Sequence, residues 1–268
     1  MERTLERKCK FCGEQPAIVD SHSIPDGIFR TILKASNGSA ISIPIGPGPI
    51  SGSNDTGKAP ILCSECEDIF NKSFDGPLVN AMRKLDKEIQ LFGHRARTQF
   101  SHNQLAQAIV SILWRCCESD APMYAGAEIE TLHKDELKRI IQANSSDTLK
   151  SCSISFRRLT DSTAENNGGF DQASIAQIIV PPTPRRYAIK GKLRGYGFDM
   201  VFQGFLMHLT IPRLPHNQVR ASGFLKHGAK ILHAPPINIF DYKPLVDVLV
   251  HAYSKFDSGQ MTTRASKT

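Results

Sequence analysis

Two Cys-x-x-Cys pairs constrain this chain more than any other feature of its sequence. The pairs are Cys9/Cys12 and Cys63/Cys66, and 50 residues separate the first pair from the second. Each pair forms a tight turn that directs two thiolates at one metal ion, and two such turns complete a tetrahedral shell of four sulfur ligands. Gly13 follows the first pair, as is common in such turns. The sequence therefore predicts one structural zinc ion bound by the four cysteines.

The remaining three cysteines are Cys116, Cys117 and Cys152. None of them pairs with another at metal-ligand spacing, so we interpret them as buried thiols. In a reducing compartment, paired cysteines indicate metal binding before disulfide formation. The alternative for the first four is that one pair arises by chance or is redox-active.

The composition is that of an ordinary soluble protein, with 40% hydrophobic and 22% charged residues in a chain of 268. This length accommodates one large domain or two of ordinary size. No apolar run approaches the roughly 18 residues that a membrane helix needs. The charged start of the sequence lacks the apolar segment of a signal peptide. We therefore expect a cytoplasmic protein.

The net charge of +7 is unevenly distributed along the chain. Residues 151–268 hold 15 Lys and Arg against 7 Asp and Glu, so the basic surplus lies in the C-terminal part. A basic domain is compatible with nucleic acid or another anionic partner. An ordinary solubilising surface explains an excess of this size equally well.

The pattern of apolar residues predicts an α+β fold. We predict a zinc module over 1–95, a helical segment over 96–148, a mostly antiparallel β-rich domain over 149–258 and an irregular tail over 259–268. The following stretches have helical periodicity or follow a helix start signal: 26–35, the segment after Cys66, 77–92, 101–118, 133–143 and 244–256.

Alternating residues and turn signals predict the strands. A short β segment is expected over 17–22. Residues 36–60 are rich in Gly, Ser and Pro, and we interpret them as a flexible surface loop. After residue 145, the following segments are predicted to be strands: SCSISFRRLT, ASIAQIIVP, RRYAIKGKL, GFDMVFQG and FLMHLTIP.

The segment between the cysteine pairs carries a family resemblance. Residues 19–25 read VDSHSIP, and residues 62–74 read LCSECEDIFNKSF. A cysteine pair, a histidine before Ile-Pro and a second pair that opens a helix resemble the HNH family of ββα-metal endonucleases. The match is narrower to bacterial members with SH-x-IP and LC-x-x-CE motifs. It covers residues 8–75 and leaves residues 150–268 unassigned.

The resemblance implies a specific division of roles. In the family, the histidine at the strand end is the general base that activates water, so this role falls on His22. The ligands of the catalytic divalent ion come partly from the helix after the second cysteine pair, where Glu67 and Asn71 hold the matching positions. Both are oxygen ligands of the kind that Mg²⁺ or Mn²⁺ prefers. Zinc is then the structural metal and the other ion the catalytic one.

The chain departs from the family pattern at several positions. Ser21 stands where the residue before the histidine is usually acidic, and Glu67 and Asn71 replace more usual ligands. Because alternate strand residues share a face, Asp20 is expected to reach the site or orient the imidazole of His22. Asp68 and Asp75 are interpreted as solvated surface acids.

Basic residues of the C-terminal half suggest a second contact. Alternation along RRYAIKGKLR predicts that the following residues lie largely on one face of one strand: Arg186, Lys190, Lys192 and Arg194. Tyr187 and Tyr196 could stack on bases. The expected ligand is nucleic acid, with DNA favoured over RNA. A protein-docking surface or an ordinary solvated sheet face is the alternative.

Three functions therefore follow from the sequence. The first is a metal-dependent nuclease, with defence against foreign DNA as its biological role. The second is a zinc-stabilised module that binds nucleic acid or protein without cleavage, which Ser21 and Glu67 favour. The third is a subunit of a larger complex that a protein partner activates. A protein partner or a homo-oligomer is therefore among the expected assemblies.

Overall fold

The computed structural model describes residues 7–38, 40–44, 48–143, 145–163, 169–189 and 192–262. The α-helices are α1 (Asp26–Ala35), α2 (Ser64–Phe70), α3 (Gly76–Phe92), α4 (His102–Glu118), α5 (Thr131–Gln142), α6 (Thr148–Ser151), α7 (Gln172–Ala176), α8 (His216–Val219) and α9 (Lys243–Asp257). The strands are β1 (Ser21–His22), β2 (Ala40–Ser42), β3 (Ser51–Ser53), β4 (Lys58–Ala59), β5 (Thr98–Gln99), β6 (Ser153–Thr160), β7 (Val180–Ile189), β8 (Lys192–Phe202), β9 (Phe205–Ile211), β10 (Ile231–Leu232) and β11 (Pro236–Asn238).

The helices of the first 150 residues follow their sequence signals closely. Ser101 caps α4, since its side chain accepts a hydrogen bond from the backbone N–H of Gln104. A π-helical turn, Asn71–Asp75, joins α2 to α3. Pro77 stands near the start of α3, where a missing N–H is tolerated. Periodicity therefore predicted these helices correctly.

A five-stranded sheet organises the C-terminal half. Its strand order is β11-β6-β9-β8-β7, and its pairs are antiparallel except for the parallel pair β11–β6. The inner face, with Phe156, Met200 and Met207, joins the large core that also contains the α4 side chains. The outer face carries a smaller core around Leu159 and Leu206 that α7 and α9 cover. The predicted α+β class is confirmed.

One continuous core joins the parts of the chain that were predicted as separate domains. Its buried members run from Cys9, through Trp114, to Phe198 and Ala234. Between α3 and the sheet, the buried Arg158 lies 2.6 Å from Asp86. The N-terminal zinc module, the helical segment and the sheet therefore pack against one another.

Several local predictions were wrong. The segment 36–60 contains the antiparallel hairpin β2–β3 and the strand β4, because these residues pair with each other and with β1. The segment ASIAQIIVP forms α7 before β7 begins, since Asp171 caps the helix by accepting from the N–H of Ser174. At the predicted tail, the backbones of Gln260 and Thr262 hydrogen-bond Ile50; residues 263–268 lie outside the described residues.

A buried ion pair fastens α4 to the segment before α3. The Arg115 guanidinium is fully buried and makes two hydrogen bonds to the Asp75 carboxylate, at 2.8 and 2.5 Å. The prediction that Asp75 is a solvated acid is wrong, because the π-helical turn directs it inward. Asp68, in contrast, is exposed as expected and forms a surface ion pair with Lys72 at 3.4 Å.

Removing the acid of this pair should destabilise the fold strongly. Asp75→Ala leaves the Arg115 charge buried without a partner, which costs about 3–5 kcal/mol. Urea unfolding can be followed by the fluorescence of Trp114, the single tryptophan. The control Asp68→Ala breaks an exposed pair and should change stability by no more than about 1 kcal/mol. Equal losses in the two variants would contradict this role for the pair.

Candidate metal centre and His22 site

The side chains of the four predicted zinc ligands lie close together. The sulfurs of Cys9, Cys12, Cys63 and Cys66 all lie within 4.8 Å of one another. The Sγ atoms of Cys12 and Cys63 are 3.8 Å apart. Zn–S bonds of about 2.3 Å in a tetrahedron separate the sulfurs by about 3.8 Å, so the spacing fits zinc. The predicted ligand cluster is therefore confirmed as a group that could bind a metal ion such as zinc.

Backbone hydrogen bonds bring the two cysteine turns together. The N–H of Lys10 donates to the carbonyl of Ile61, and the N–H of Ile18 donates to the carbonyl of Leu62, both at 2.8 Å. Gly13 adopts a φ of +77° at the end of the first turn, a conformation that glycine tolerates best. The N–H groups after Cys12 thus close a turn around its sulfur.

The cysteine thiols have different intrinsic acidities. Backbone hydrogen bonds from Gln15 and Glu14 lower the pKa of the Cys12 thiol to about 6. Burial raises the pKa of the Cys63 and Cys66 thiols. The thiolate is the form that binds metal, so a divalent cation would favour ionisation at the two buried positions.

An aromatic cluster packs against the first cysteine turn. Phe11, within the first cysteine turn, contacts the rings of Phe70 and Trp114 edge-on at centroid distances of 4.9 and 5.5 Å. Phe70 also contacts Phe74 at 5.1 Å. The interpretation of Trp114 as a core residue is confirmed, and the metal centre is packed directly on α4.

His22 lies on the short pair β1–β4, where the preceding residue, Ser21, hydrogen-bonds Glu67, the residue after Cys66. The backbone of His22 is opposite Lys58, and its side chain is only 16% exposed. Arg115 donates a hydrogen bond of 2.9 Å to the His22 carbonyl, and Ser23 donates one of 3.2 Å to the Arg115 carbonyl. The buried ion pair therefore positions the backbone on both sides of the imidazole.

Two polar side chains that the sequence reading missed flank the imidazole. The Nε2 atom of His22 is 3.7 Å from a carboxylate oxygen of Asp26 and 3.4 Å from the hydroxyl of Thr56. Asp26 stands four residues after His22, just beyond Pro25. Its short separation along the chain could therefore have identified it as a neighbour of His22. Thr56 comes from the segment before β4, which only the tertiary fold places here.

The close approach of the Thr56 segment depends on Gly57. This residue has a φ of +67°, and a Cβ atom there would lie 2.4 Å from the sulfur of Met123 and 2.6 Å from the Tyr124 ring. The Asp55 carboxylate accepts from the Gly57 N–H at 2.8 Å and closes the turn. Glycine is therefore the residue that lets this turn pack over the site.

The residues predicted beside His22 lie in different environments in the structure. Glu67 is half-buried and accepts a hydrogen bond of 2.7 Å from the Ser21 hydroxyl. Asn71 begins the π-helical turn and is exposed. Asp20 is 71% exposed and lies 3.6 Å from the Lys58 ammonium. The alternation argument fails for Asp20 because β1 begins only at Ser21.

Metal-binding geometry is confined to the cysteines in the described part of the chain. Among the His, Cys, Asp and Glu side chains there, only the four cysteines form a group of three or more at ligand spacing. His22, Asp26 and Glu67 do not form such a group. The structure thus supports a metal site of the zinc type and shows no second one among these residues.

The predicted basic stripe divides between two strands. Arg186, on β7, is exposed, and its guanidinium carbon lies 5.9 Å from the centroid of the Tyr196 ring of β8. Lys190 lies outside the described residues, and Lys192 and Arg194 belong to β8 by their backbone. The prediction of one strand was wrong, because Ile189 pairs with Lys192 across a hairpin.

Comparison with models of known protein families, with curated proteins and with solved structures returned no match to this chain. The fold and the site define it as an α+β protein with a cluster of four cysteines that could bind a metal ion such as zinc. Among the described residues, no helix has both the length and the apolar character needed to cross a membrane.

The zinc assignment predicts a specific loss of metal. Purified protein should contain one zinc ion per chain, and Cys63→Ser should lose it, because a serine hydroxyl is a poor zinc ligand. Metal content by mass spectrometry measures both. The control is Cys152→Ser: Cys152 donates to the carbonyl of Thr148, and a hydroxyl can do the same. Zinc-free protein that keeps its fold would contradict the assignment.

The acidity of His22 provides a further test. Burial lowers the pKa of His22, while the nearby Asp26 charge opposes the shift. We expect the imidazole to titrate below the ordinary value of about 6.5 in an NMR titration, and Asp26→Asn to lower its pKa further. Because the folded-state pKa is depressed, this group's contribution to stability declines as pH falls through about 6.5. An unchanged pKa in Asp26→Asn would show that Asp26 does not act on the ring.

Proposed function

We propose that this chain is a metal-dependent endonuclease of the HNH type that hydrolyses phosphodiester bonds of DNA, with RNA as the alternative substrate. The observation that supports the proposal most is the placement of His22. It lies on β1, which pairs with β4, and α2 follows directly from the second cysteine turn. The pairing of β1 with β4 ahead of α2 is compatible with a ββα-metal module, in which α1, β2 and β3 would be insertions between the two strands.

His22 would act as the general base. Its neutral ring takes a proton from water, the oxygen attacks phosphorus, and the bond to the leaving oxygen breaks as that oxygen gains a proton. A lowered pKa favours the neutral ring at neutral pH. The hydrogen bond from Arg115 to the His22 carbonyl holds the backbone that carries the ring.

Glu67 and Asn71 would hold the catalytic Mg²⁺ or Mn²⁺ ion. When bound, such an ion stabilises charge on the scissile phosphate and the leaving oxygen. The Ser21 hydroxyl donates to the Glu67 carboxylate and so orients it. Ser21 replaces the acid of the usual pattern, so here its part is to fix a ligand rather than to bind the ion. Asp26 takes the orienting part expected of Asp20.

The remaining proposals concern partners and location. Arg186, with Lys190, Lys192 and Arg194, would contact the nucleic-acid backbone, which suits the basic C-terminal half. Defence against foreign DNA in the cytoplasm is the proposed role. Activation by a protein partner or by homo-oligomerisation is an extension of the same proposal.

A non-catalytic binding module is the second candidate. It is favoured by the absence of a His, Asp and Glu group at metal-ligand spacing around His22 within the described residues. In that case the four-cysteine cluster would support a surface that recognises nucleic acid or protein. The two candidates differ in whether a phosphodiester bond is cut.

Cleavage of supercoiled plasmid tests the proposal. Zinc-loaded protein should nick or cut it with Mg²⁺ or Mn²⁺ and not with EDTA. His22→Ala should lower the rate by about 10²–10⁴, the usual contribution of a general base. Glu67→Gln should raise the metal concentration needed.

The control variant is His216→Ala, which removes an exposed histidine on α8. It should cleave at the wild-type rate. Zinc content and Trp114 fluorescence confirm that each variant is folded. Wild-type protein that binds zinc and is folded, yet cuts with neither metal, would support the binding module instead.

A further inference from the structure

A polar cluster occupies part of the outer face of the sheet, away from the His22 site. Strand register places Thr183, Asp199, His208 and Ser155 in one row across β7, β8, β9 and β6. Directly paired residues of antiparallel strands project from the same face. Arg185, two residues after Thr183, projects from this face as well. We call Arg185, Asp199 and His208 the outer-face cluster.

Asp199 is the buried centre of this cluster. Its side chain is only 6% exposed, and its two oxygens face two different basic groups. The Nδ1 atom of His208 is 2.5 Å from one oxygen, and the Nε atom of Arg185 is 2.8 Å from the other. Burial alone would raise the pKa of Asp199, but the hydrogen bond and charge of His208 lower it. Asp199 is therefore a carboxylate that orients two basic side chains.

Both basic groups present atoms to the surface. The His208 side chain is 33% exposed, and that of Arg185 is 44% exposed. Because Nδ1 faces a carboxylate, we assign a proton there, which leaves Nε2 as the ring nitrogen outside the pair with Asp199. The ion pair between Arg185 and Asp199 involves the Nε atom of Arg185. The two terminal nitrogens of the guanidinium are not part of this pair.

Gly197 makes the orientation of the ring possible. A Cβ atom at this position would lie 3.0 Å from Cε1 and 3.4 Å from Nε2 of His208. The missing side chain lets the imidazole lie across β8 and reach Asp199. The half-buried Tyr242 lies beside the carboxylate, and burial together with the Asp199 charge raises the pKa of its phenol, which keeps it neutral.

The stability of the sheet does not require the charged side chains of this cluster. A buried ion pair is often no more stabilising than well-packed apolar residues would be. Arg157 projects from the same face, where it donates to the hydroxyl of Ser155 and the carbonyl of Ser222. With one acid among two arginines and a histidine, the net charge of this face is positive whether or not His208 is protonated. Such a surface attracts anions.

We propose that Arg185 and His208 bind a phosphate group, with Asp199 as the residue that positions both. The guanidinium offers paired donors of the geometry that phosphate accepts, and Nε2 of His208 offers a third when both ring nitrogens carry a proton. The phosphate could belong to a nucleic-acid backbone or to a small phosphorylated molecule. The proposed phosphate site uses none of the residues assigned to nuclease chemistry. A failure of the nuclease proposal would therefore leave the phosphate-site proposal unaffected.

Binding measurements without added Mg²⁺ or Mn²⁺ test this site apart from cleavage. The probes are inorganic phosphate, by calorimetry, and a short fluorescein-labelled single-stranded oligonucleotide, by anisotropy. Arg185→Gln and His208→Gln should each weaken binding about tenfold or more. Tighter binding of the oligonucleotide than of phosphate identifies a backbone site, and equal binding identifies a small-molecule site.

Matched controls separate this site from general electrostatics. Arg220→Gln and His216→Gln remove the same groups from exposed positions elsewhere and should leave binding unchanged. Asp199→Asn should weaken binding although it removes a negative charge, because both donors lose their anchor. Tighter binding by Asp199→Asn would overturn the positioning role. Wild-type affinity in Arg185→Gln and His208→Gln, or no binding of either probe to wild type, would overturn the site.

Discussion

The buried ion pair between Arg115 and Asp75 is the interaction on which the N-terminal half depends most. Arg115 stands on α4, the most thoroughly buried helix, and its charge is stable there only because Asp75 neutralises it. The same guanidinium donates to the His22 carbonyl and lies 5.3 Å from the Phe70 ring. One side chain thus connects α4, the π-helical turn, the candidate base and the helix that follows the second cysteine turn.

The four-cysteine cluster and this ion pair constrain the same segments from opposite sides. The cysteines hold Lys10 against Ile61 and so fix the start of α2, while Arg115 fixes its far end through Asp75. Between them, α2 has only seven residues and would be marginal alone. Packing around the cysteine cluster and α4, rather than helix propensity, therefore places Glu67 against Ser21.

The C-terminal sheet follows a different physical principle. Its inner face is apolar and shares the main core, whereas its outer face changes from an apolar half under α7 and α9 to a polar half around Asp199. The change occurs within single strands: on β8, Val201 belongs to the apolar half and Asp199 to the polar one. Helix coverage therefore ends where the cluster of charged side chains begins, which leaves Arg185 and His208 partly exposed.

By itself the sequence determined the features that depend on short spacing. The cysteine turns, the capped helix α4 and the α+β class follow from residues a few positions apart, because turn geometry and helical periodicity are local. The tertiary structure alone decided that Asp75 meets Arg115, that Thr56 covers His22 and that Arg186 and Lys192 lie on different strands. These pairings join residues that are distant in sequence or divided by a hairpin. They depend on packing and strand register, which no local pattern of residues encodes.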